Sequence, residues 1–450
     1  MHEDGLHGHK LIKGTAILTV SGIVVRAIGM FNRMILSRWI GAEGLGLVQL
    51  IIPVYALMAA IISFGLPGAV TKLTAERYAL GDHKGKNKIK RIAFRAVLAF
   101  SMAAVLLYWL IIFTSGEKLL PDSRIIFPLK IAPLGFLFAG FSQIIRSYFQ
   151  GLGDMVPTAT SQLVEQIARF SLGLLGVFLF LPYGLGHAII GLVLGIMGGE
   201  FLGFFCLLVY YRKEGRSSPV SSSTSTDLKP ESLRLLKDMF SMALPLLVIR
   251  ISGSLTHATE SLLLPSRLQE AGFSSEEAVS LFGQLSGMAV PLLFLPTVLI
   301  LPFNSALVPY IARTKILKQK ESLRKTINFS LGGTLSLGLI SALLLYYSSP
   351  WLTSILYGSL SASTLVSMLS WIAPFAYIQF TAAAILHGLG RPGIAVANDF
   401  LGTLLALFLI YFLTANPSIG IQGAVWAYSA GYILTSLLDC IVIKNITRNI

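Results

Sequence analysis

The sequence predicts an all-α integral membrane protein in which about twelve transmembrane helices form two pseudo-symmetric six-helix lobes around a central cavity. Hydrophobic residues make up 54% of the chain, charged residues make up 12%, and the mean hydropathy is +0.74. Soluble domains carry about twice that share of charged residues. The apolar runs are about twenty residues long, which favours helices over the short alternating strands of a membrane barrel.

The apolar runs predict the individual spans, and the basic residues between them predict the orientation. The spans are 12–37, 44–70, 92–114, 125–150, 158–181, 186–211, 238–264, 285–311, 327–348, 365–387, 393–414 and 419–443. Lysines and arginines concentrate in the loops after spans two, six and eight. The positive-inside rule therefore predicts a multi-pass protein of the plasma membrane with both termini in the cytoplasm. The basic N-terminal stretch resembles the start of a signal peptide, but the long span with arginines predicts an uncleaved first helix.

A Ser-rich linker and a weak internal repeat predict the two lobes. The linker, 212–236, separates an N-terminal lobe, 1–211, from a C-terminal lobe, 237–450. VVRAIG at 24–29 recurs as VIRISG at 248–253, and QGLGD at 150–154 recurs as HGLGR at 387–391, each of the latter pair preceded by an Ile-Ala-Pro. A repeat of an even number of spans keeps its orientation, so we expect substrate between the halves. The alternative is that membrane helices share Gly and Ile by chance.

Three arginines lie within predicted spans. Arg26 and Arg33 are seven residues apart, close to two helical turns, and Arg250 occupies the Arg26 position in the repeated half. A guanidinium at membrane depth costs free energy, and it cannot reduce that cost by losing its proton. Its planar donors match phosphate oxygens, so the three residues predict a phosphate or diphosphate site in the cavity. The alternative is that each arginine caps carbonyls or pairs with an internal carboxylate.

Other polar residues within the spans are candidates for the cavity wall or for ion coupling. In SQLVEQIARF, Glu165 and Arg169 are one turn apart, on the same face as Ser161 and next to Gln162. This pattern predicts either a self-neutralising ion pair or a polar patch that contacts sugar or phosphate, or couples an ion.

Acidic and histidine side chains further along the chain are also candidates. His257 and Glu260 follow Arg250 at helical intervals, and their protonation could change with access to water, although Glu260 could equally neutralise an arginine. Asn32 and Asp399 complete the candidate set. Glu200, Asp399 and Asp439 are buried-carboxylate candidates, each expected to be structural if it stands alone.

Several functional classes are not favoured by the sequence. It contains no Walker motif, no His/Cys cluster with metal-ligand spacing and no nucleophile elbow, and the outer loops are short, so we predict no enzyme activity, no cofactor and no metal site. Cys206 and Cys440 lie in apolar helical segments and are expected to be small buried hydrophobes. The net charge of +14 is concentrated in alternate loops, so nucleic acid is not an expected partner. The oligomeric state stays open, with a monomer favoured.

The motif around Arg26 has a wider context. GxxxRxxGxxxR from Gly22 is followed by GAEGLG at 41–46, Pro53 and GLP at 65–67, and later by YFQGLGDMVPTATSQLVEQIARF at 148–170. Nearly the whole chain resembles the stage V sporulation protein B group of polysaccharide-export proteins, within the multidrug/oligosaccharidyl-lipid/polysaccharide (MOP) exporter superfamily that also contains the lipid II flippases. The first-span arginine of those flippases corresponds to Arg26 of this chain. Their next arginine corresponds to Asn32, which is adjacent to Arg33.

The resemblance implies a MATE-like transporter that flips an undecaprenyl-diphosphate-linked oligosaccharide by alternating access. A peptidoglycan precursor such as lipid II, used for the cell wall or spore cortex, or a polysaccharide unit would be the substrate, with the diphosphate on Arg26, Arg33 and Arg250. An H⁺ or Na⁺ gradient or the membrane potential are the candidate driving forces, and cell-wall synthesis enzymes are candidate partners. The alternatives are a cation or drug antiporter of the same superfamily, which would need carboxylates where this chain has arginines, and a non-transporting scaffold that recruits wall-synthesis enzymes through its basic loops.

Overall fold

The computed structural model describes residues 2–217 and 229–449, and these residues form helices joined by short turns, with no β-strand among them. The described part of the chain therefore confirms the predicted all-α class. The predicted linker, 212–236, is shorter than expected at both ends, because one helix continues to Ser217 and the next begins at Lys229. Its central part, 218–228, lies outside the described residues.

The helices are numbered in chain order. Before the linker they are α1 (His2–Ser63), α2 (Leu66–Ala79), α3 (His83–Leu119), α4 (Ile126–Ile131), α5 (Pro133–Gly151), α6 (Val156–Phe180) and α7 (Leu185–Ser217). After it they are α8 (Lys229–Glu270), α9 (Ser275–Phe282), α10 (Val290–Phe294), α11 (Thr297–Ile316), α12 (Lys320–Tyr357), α13 (Ser363–Ser370), α14 (Ala373–Gly388), α15 (Pro392–Leu413) and α16 (Ile421–Asn449). A π-helical turn, Gly283–Ala289, joins α9 to α10.

Helix α1 contains most of the first two predicted spans. Its break is at Gly41, whose φ of 68° and ψ of −170° lie outside the helical region and suit a residue without a Cβ. The basic residues expected in the loop after span two lie instead on α2 and α3, because only 80–82 separate those helices. The side chain of Asp82 accepts from the backbone N–H of Gly85 at 2.7 Å and caps the start of α3.

The number of membrane spans is compatible with the predicted twelve without fixing it. Within the described residues, eight helices are long and apolar enough to cross a membrane, or up to ten if each of two bent helix pairs is one span. One of these eight, Ala16–Ser63, covers two of the predicted spans. The count of twelve therefore stays a prediction.

The repeated sequence motifs adopt the same local structure in both halves. The Ile-Ala-Pro at 131–133 and the one at 372–374 each lie where a helix pair bends, by 48° and 56° respectively. In the two GLG motifs, a Cβ on Gly151 would be 2.7 Å from the carbonyl oxygen of Thr71, and one on Gly388 would be 2.8 Å from that of Val308. The second glycine of each motif has a positive φ, 76° and 73°. These likenesses support the predicted repeat.

Packing divides the described chain into two compact units. The first unit consists of described residues within Met1–Leu36 and Leu50–Thr259, and the second of those within Ser37–Gln49 and Glu260–Ile450. These units are defined by contacts, whereas the predicted lobes are defined by the sequence repeat. The lobe boundaries therefore stay a prediction.

In the first unit, apolar residues of five helices form the core, and α6 packs closely along α7. The core includes Leu66, Val70, Ile89, Val97, Ile144, Tyr148, Leu207 and Met239. A Cβ on Gly176 would lie 2.4 Å from the carbonyl oxygen of Gly191, so α6 and α7 approach at a distance that only glycine allows. The Gly-rich stretch of α7 is therefore a packing surface.

In the second unit, the segment Ser37–Gln49 packs against α9 and the π-helical turn. A Cβ on Gly46 would lie 2.0 Å from the carbonyl oxygen of Val279, and Gln49 Nε2 donates to the carbonyl oxygen of Ser286 at 2.6 Å. A second core cluster joins α11, α12, α14, α15 and α16 and includes Leu307, Ile311, Ile327, Ile385, Leu386 and Ile443. The large exposed apolar side chains of α3, α12 and α15 suit contact with lipid.

Candidate functional site

Arg26 and Arg33 lie on one face of α1, in the first unit, before the break at Gly41. Gly29 lies between them at helical spacing, and a Cβ placed on it would be 3.7 Å from Nε2 of Gln166 on α6. We call Arg26, Gly29 and Arg33 the α1 arginine face. At Gly29 this face therefore lies beside a polar side chain of α6.

The two arginines of this face differ in exposure. Arg26 is exposed and Arg33 is half-buried. Arg26 forms no hydrogen bond or ion pair with any residue that the structure describes. A guanidinium without a protein partner, within a candidate membrane span, is stable only when it contacts water, headgroups or an anionic ligand.

Arg250 lies on α8, also within the first unit, and is exposed. Within the described chain it too has no hydrogen bond or ion pair. Gly253, one turn on, faces open space, and the exposed His257 follows one further turn along the same face. A shared cavity that joins Arg250 to the α1 arginine face stays a prediction.

A hydrogen-bonded cluster of five side chains lies on and beside α6, and we call it the α6 charge network. Glu165 accepts from Arg146 Nη2 at 2.7 Å through Oε2 and from Arg169 Nη2 at 2.6 Å through Oε1. Arg169 Nη2 also donates to Glu200 Oε1 at 2.8 Å. Arg146 Nε donates to the hydroxyl of Ser161 at 2.9 Å. The predicted Glu165–Arg169 ion pair is therefore confirmed, within a larger network.

The α6 charge network is neutral as a whole, since two guanidinium groups face two carboxylates. The side chains of Arg146 and Glu165 are 13% and 14% exposed, so water weakens these ion pairs little. Helix α7 reaches the network through small residues, because a Cβ on Gly203 would be 3.0 Å from the Cβ of Glu165. This arrangement fixes α5, α6 and α7 together beside the α1 arginine face.

Three buried polar atoms around these helices lack a partner within the described residues. They are the hydroxyl of Tyr55, Nε of Arg169 and Oδ1 of Asn32. Tyr55 lies within electrostatic range of Glu200, Arg169 and Glu165. Buried polar atoms without partners are unusual and concentrate at sites of function or conformational change. Gln162 is half-buried on the same helix as the network.

The acidic candidates of the second unit are each bound to a neutral side chain. Glu260 accepts a hydrogen bond from the hydroxyl of Tyr428. Asp399 accepts from Gln379 Nε2 at 2.7 Å, and Asp439 accepts from Asn398 Nδ2 at 2.8 Å. Asp439 is 1% exposed. A coupling role for His257, Glu260 and Asp399 stays a prediction. Among the described residues, no group of three or more His, Cys, Asp or Glu is arranged to hold a metal ion.

Sequence reasoning missed Arg146, which joins the network from α5. The tight turn between α5 and α6 has Gly153 at its centre, with a φ of 76°. Residues 146 and 161 lie at nearly equal distances from this turn, as expected for neighbours in an antiparallel helix pair. An arginine within the apolar run IIRSYF was therefore a usable signal, once the turn was identified.

Comparison with known proteins supplies the family. The model of a family described as polysaccharide biosynthesis protein matches residues 11–315. The chain is 30% identical over 436 residues to stage V sporulation protein B of Bacillus subtilis (strain 168), covering 97% of this chain and 84% of that protein. It is 26% identical over 459 residues to the lipid II flippase MurJ of the same organism, covering 97% and 83%.

Solved structures support the fold. A MATE family multidrug resistance transporter of the MOP superfamily, in an inward-facing conformation, matches with a TM-score of 0.74 at 15% identity and covers 94% of each chain. A MOP superfamily transporter from Pyrococcus furiosus Vc1, described as having a binding pocket of reverse polarity, matches with a TM-score of 0.61 at 17% identity and covers 97% and 96%. These proteins are transporters and not enzymes, as the sequence predicts for this chain.

The resemblance predicted from GxxxRxxGxxxR and from 148–170 is therefore confirmed. The family model covers more than half of the chain, and the relative at 30% identity spans nearly all of it. The fold is that of a multi-pass membrane transporter. The chain belongs to the polysaccharide biosynthesis protein family.

Proposed function

We propose that this protein flips an undecaprenyl-diphosphate-linked oligosaccharide across the plasma membrane by alternating access. Lipid II or a related peptidoglycan precursor, used for the cell wall or spore cortex, fits as substrate, and a polysaccharide unit on the same carrier is the other candidate. The names of two relatives, a lipid II flippase and a stage V sporulation protein, support this choice.

The observation that carries the proposal is the unpaired guanidinium of Arg26. It is exposed, lies within a span and has no partner in the described chain. The neighbouring α6 charge network neutralises its own arginines, so it offers no spare carboxylate to Arg26. A diphosphate would supply the missing negative charge through paired N–H···O bonds. Arg33 and Arg250 would extend the same contact.

A cation or drug antiporter is the other candidate, because the matched MATE structure is a multidrug transporter. A cationic substrate needs carboxylates that face it without arginine partners. In the first unit, both Glu165 and Glu200 pair with arginines. The acids of the second unit each accept a hydrogen bond from a neutral side chain, and they are the candidates for exchanging the driving H⁺ or Na⁺.

The remaining assignments follow from the basic loops and the family. Both termini would be cytoplasmic, since the loops rich in Lys and Arg face that side. The lipid tail would stay in the bilayer while the diphosphate and sugar cross. Cell-wall synthesis enzymes would deliver or receive the substrate.

The test is translocation of fluorescent lipid II by protein reconstituted in liposomes. We expect Arg26→Ala to slow translocation by at least about tenfold, because it removes a charge-assisted hydrogen bond. Arg26→Lys keeps the charge without the planar donors and should be intermediate. Arg324→Gln, an exposed arginine of α12, is the matched control and should translocate at the wild-type rate.

Three outcomes would contradict the proposal. Wild-type rates for both Arg26→Ala and Arg250→Ala would remove the arginine assignment. Efflux of a cationic dye driven by H⁺ or Na⁺, without lipid II translocation, would identify an antiporter. A scaffold would be identified if deletion of the basic loops abolished function in cells while neutral substitutions of Arg26, Arg33 and Arg250 left it intact.

A further inference from the structure

Three arginines at one end of α3 and α7 play no part in the proposed transport site. Arg91 and Arg95 are one turn apart on α3, so they project from the same side of that helix. Arg212 lies near the end of α7. All three are exposed, and none forms an ion pair or hydrogen bond with a residue that the structure describes.

The two lysines beside them, by contrast, share the carboxylate of Glu214. Glu214 Oε1 accepts from Lys86 Nζ at 2.9 Å, and Glu214 Oε2 lies 3.8 Å from Lys90 Nζ. The hydroxyl of Tyr148 donates to Glu214 at 3.0 Å. Lys86 is 4% exposed and belongs to the packed interior. Glu214 is therefore engaged with the buried lysines, and the exposed arginines keep an unbalanced positive charge.

Aromatic contacts bring the basic ends of α3 and α7 together. The ring centroids of Phe94 and Tyr211 are 5.9 Å apart. Lys90 Nζ lies 4.3 Å from the centre of the Tyr211 ring. Arg91 is within electrostatic range of Tyr211. Lys90 and Phe94, the neighbours of Arg91 and Arg95 in sequence, thus contact the tyrosine that immediately precedes Arg212.

The position of this patch along the helices corresponds to the membrane surface. No charged residue occurs in 96–116, which follows Arg95, or in 201–211, which precedes Arg212. Tyr210 and Tyr211 stand at the same boundary, where tyrosines of membrane proteins usually meet the headgroups. The loops at this end are the basic ones, so the positive-inside rule assigns it to the cytoplasmic leaflet.

We propose that Arg91 and Arg95, close to where α3 contacts Tyr211 of α7, bind the phosphate of an anionic phospholipid such as phosphatidylglycerol. Two guanidinium groups one turn apart offer planar donors to phosphate oxygens, and Arg212 adds positive charge. The adjacent apolar runs of α3 and α7 would contact the acyl chains. An exposed patch at headgroup depth fits a lipid phosphate better than free phosphate, which gains nothing from that depth.

A second basic segment provides the comparison that the test requires. Around the turn between α11 and α12, Lys325 pairs with Glu321 at 2.8 Å and Lys315 donates to the carbonyl oxygen of Leu389 at 2.7 Å. Arg313 and Arg324 are exposed there, but they lie on different helices, so they do not form a pair one turn apart on a single helix. Replacing these two removes the same charge without touching the proposed site.

The experiment is lipid titration of the full-length protein in neutral detergent, with bound lipids counted by native mass spectrometry. Phosphatidylglycerol should bind more tightly than phosphatidylcholine. Arg91→Gln/Arg95→Gln should weaken phosphatidylglycerol binding by about thirtyfold, since two basic contacts to an anionic headgroup are lost. Arg91→Lys/Arg95→Lys, which keeps the charge, should lose less. Arg313→Gln/Arg324→Gln should bind as the wild type does.

The other arms separate the proposed site from its alternatives. Arg26→Ala should leave phosphatidylglycerol binding unchanged. Loss of phosphatidylglycerol binding in this variant would mean that the lipid occupies the transport site. Inorganic phosphate should fail to displace the lipid, and displacement at matched concentration would mean a free-phosphate site. Wild-type affinity in Arg91→Gln/Arg95→Gln, or an equal loss in Arg313→Gln/Arg324→Gln, would overturn the proposal. A melting temperature equal to that of the wild type would show that the variants are folded.

Discussion

The α6 charge network and the α1 arginine face are neighbours in the same unit, but they differ in whether their arginines form ion pairs. The arginines of the network are paired with carboxylates, whereas Arg26 of the α1 arginine face is not paired within the described chain. In the network, each arginine contacts a carboxylate within 2.8 Å. On the α1 arginine face, Arg26 has no such contact within the described chain. Partially buried charges that satisfy one another hold helices in place, whereas an unpaired charge is available to a ligand. The comparison therefore assigns stability to the network and supports the proposed recognition role of Arg26.

The largest expected effect is on the network, through Glu165→Gln. This change removes the carboxylate that bridges Arg146 and Arg169, so Arg146 loses its carboxylate partner and Arg169 keeps only Glu200. Because breaking one side of a buried ion pair leaves an uncompensated charge, we expect a loss of about 3 kcal/mol in the free energy of unfolding. Chemical unfolding of the purified protein, followed by tryptophan fluorescence, would measure it.

Arg26→Ala is the matched control for that measurement. It removes an exposed charge of the same unit that has no partner to lose among the described residues, so stability should change by less than about 0.5 kcal/mol. If Arg26→Ala destabilised the protein as much as Glu165→Gln, Arg26 would have a structural partner, and the comparison between the two sets would fail.

A smaller effect is expected from the coupling between residues of the network. In a double-mutant cycle of Arg146→Gln and Glu165→Gln, the two changes should be non-additive by about 1 to 2 kcal/mol, because both remove the same contact of 2.7 Å. The corresponding cycle of Arg26→Ala and Glu165→Gln should be additive. Additivity in the first cycle would mean that Arg146 stabilises the bundle through packing and not through Glu165.

Local spacing predicted part of this site, and long-range packing decided the rest. Glu165 and Arg169 are four residues apart on one helix, so their contact follows from helical geometry alone. Arg146 of α5 contacts Glu165 from 19 residues away. Glu200 of α7 contacts Arg169 from 31 residues away. No periodicity within one span contains that information, because it depends on how three helices pack.

The helix boundaries show the same limit. The apolar runs separated two spans near Gly41, where two helical stretches of α1 meet at a kink, but hydropathy could not identify that glycine as the break. The repeat correctly pointed to Gly153 and Gly390 as equivalent turns. It could not indicate that residues of α8 up to Thr259 pack with the first unit, because a repeat records sequence likeness and not contacts.

The smallest expected effect comes from two glycines, one beside the α6 charge network and one beside the α1 arginine face. A Cβ added at Gly203 would lie 3.0 Å from the Cβ of Glu165 and 3.4 Å from its Oε2, so α7 must shift slightly away from the network. Gly203→Ala should therefore destabilise the protein by about 1 kcal/mol. Gly22→Ala, one turn before Arg26, meets nothing within 4 Å and should be neutral or slightly stabilising, because alanine favours the helix. Differential scanning fluorimetry would separate the two, and equal melting temperatures would mean that the close approach of α7 does not support the network.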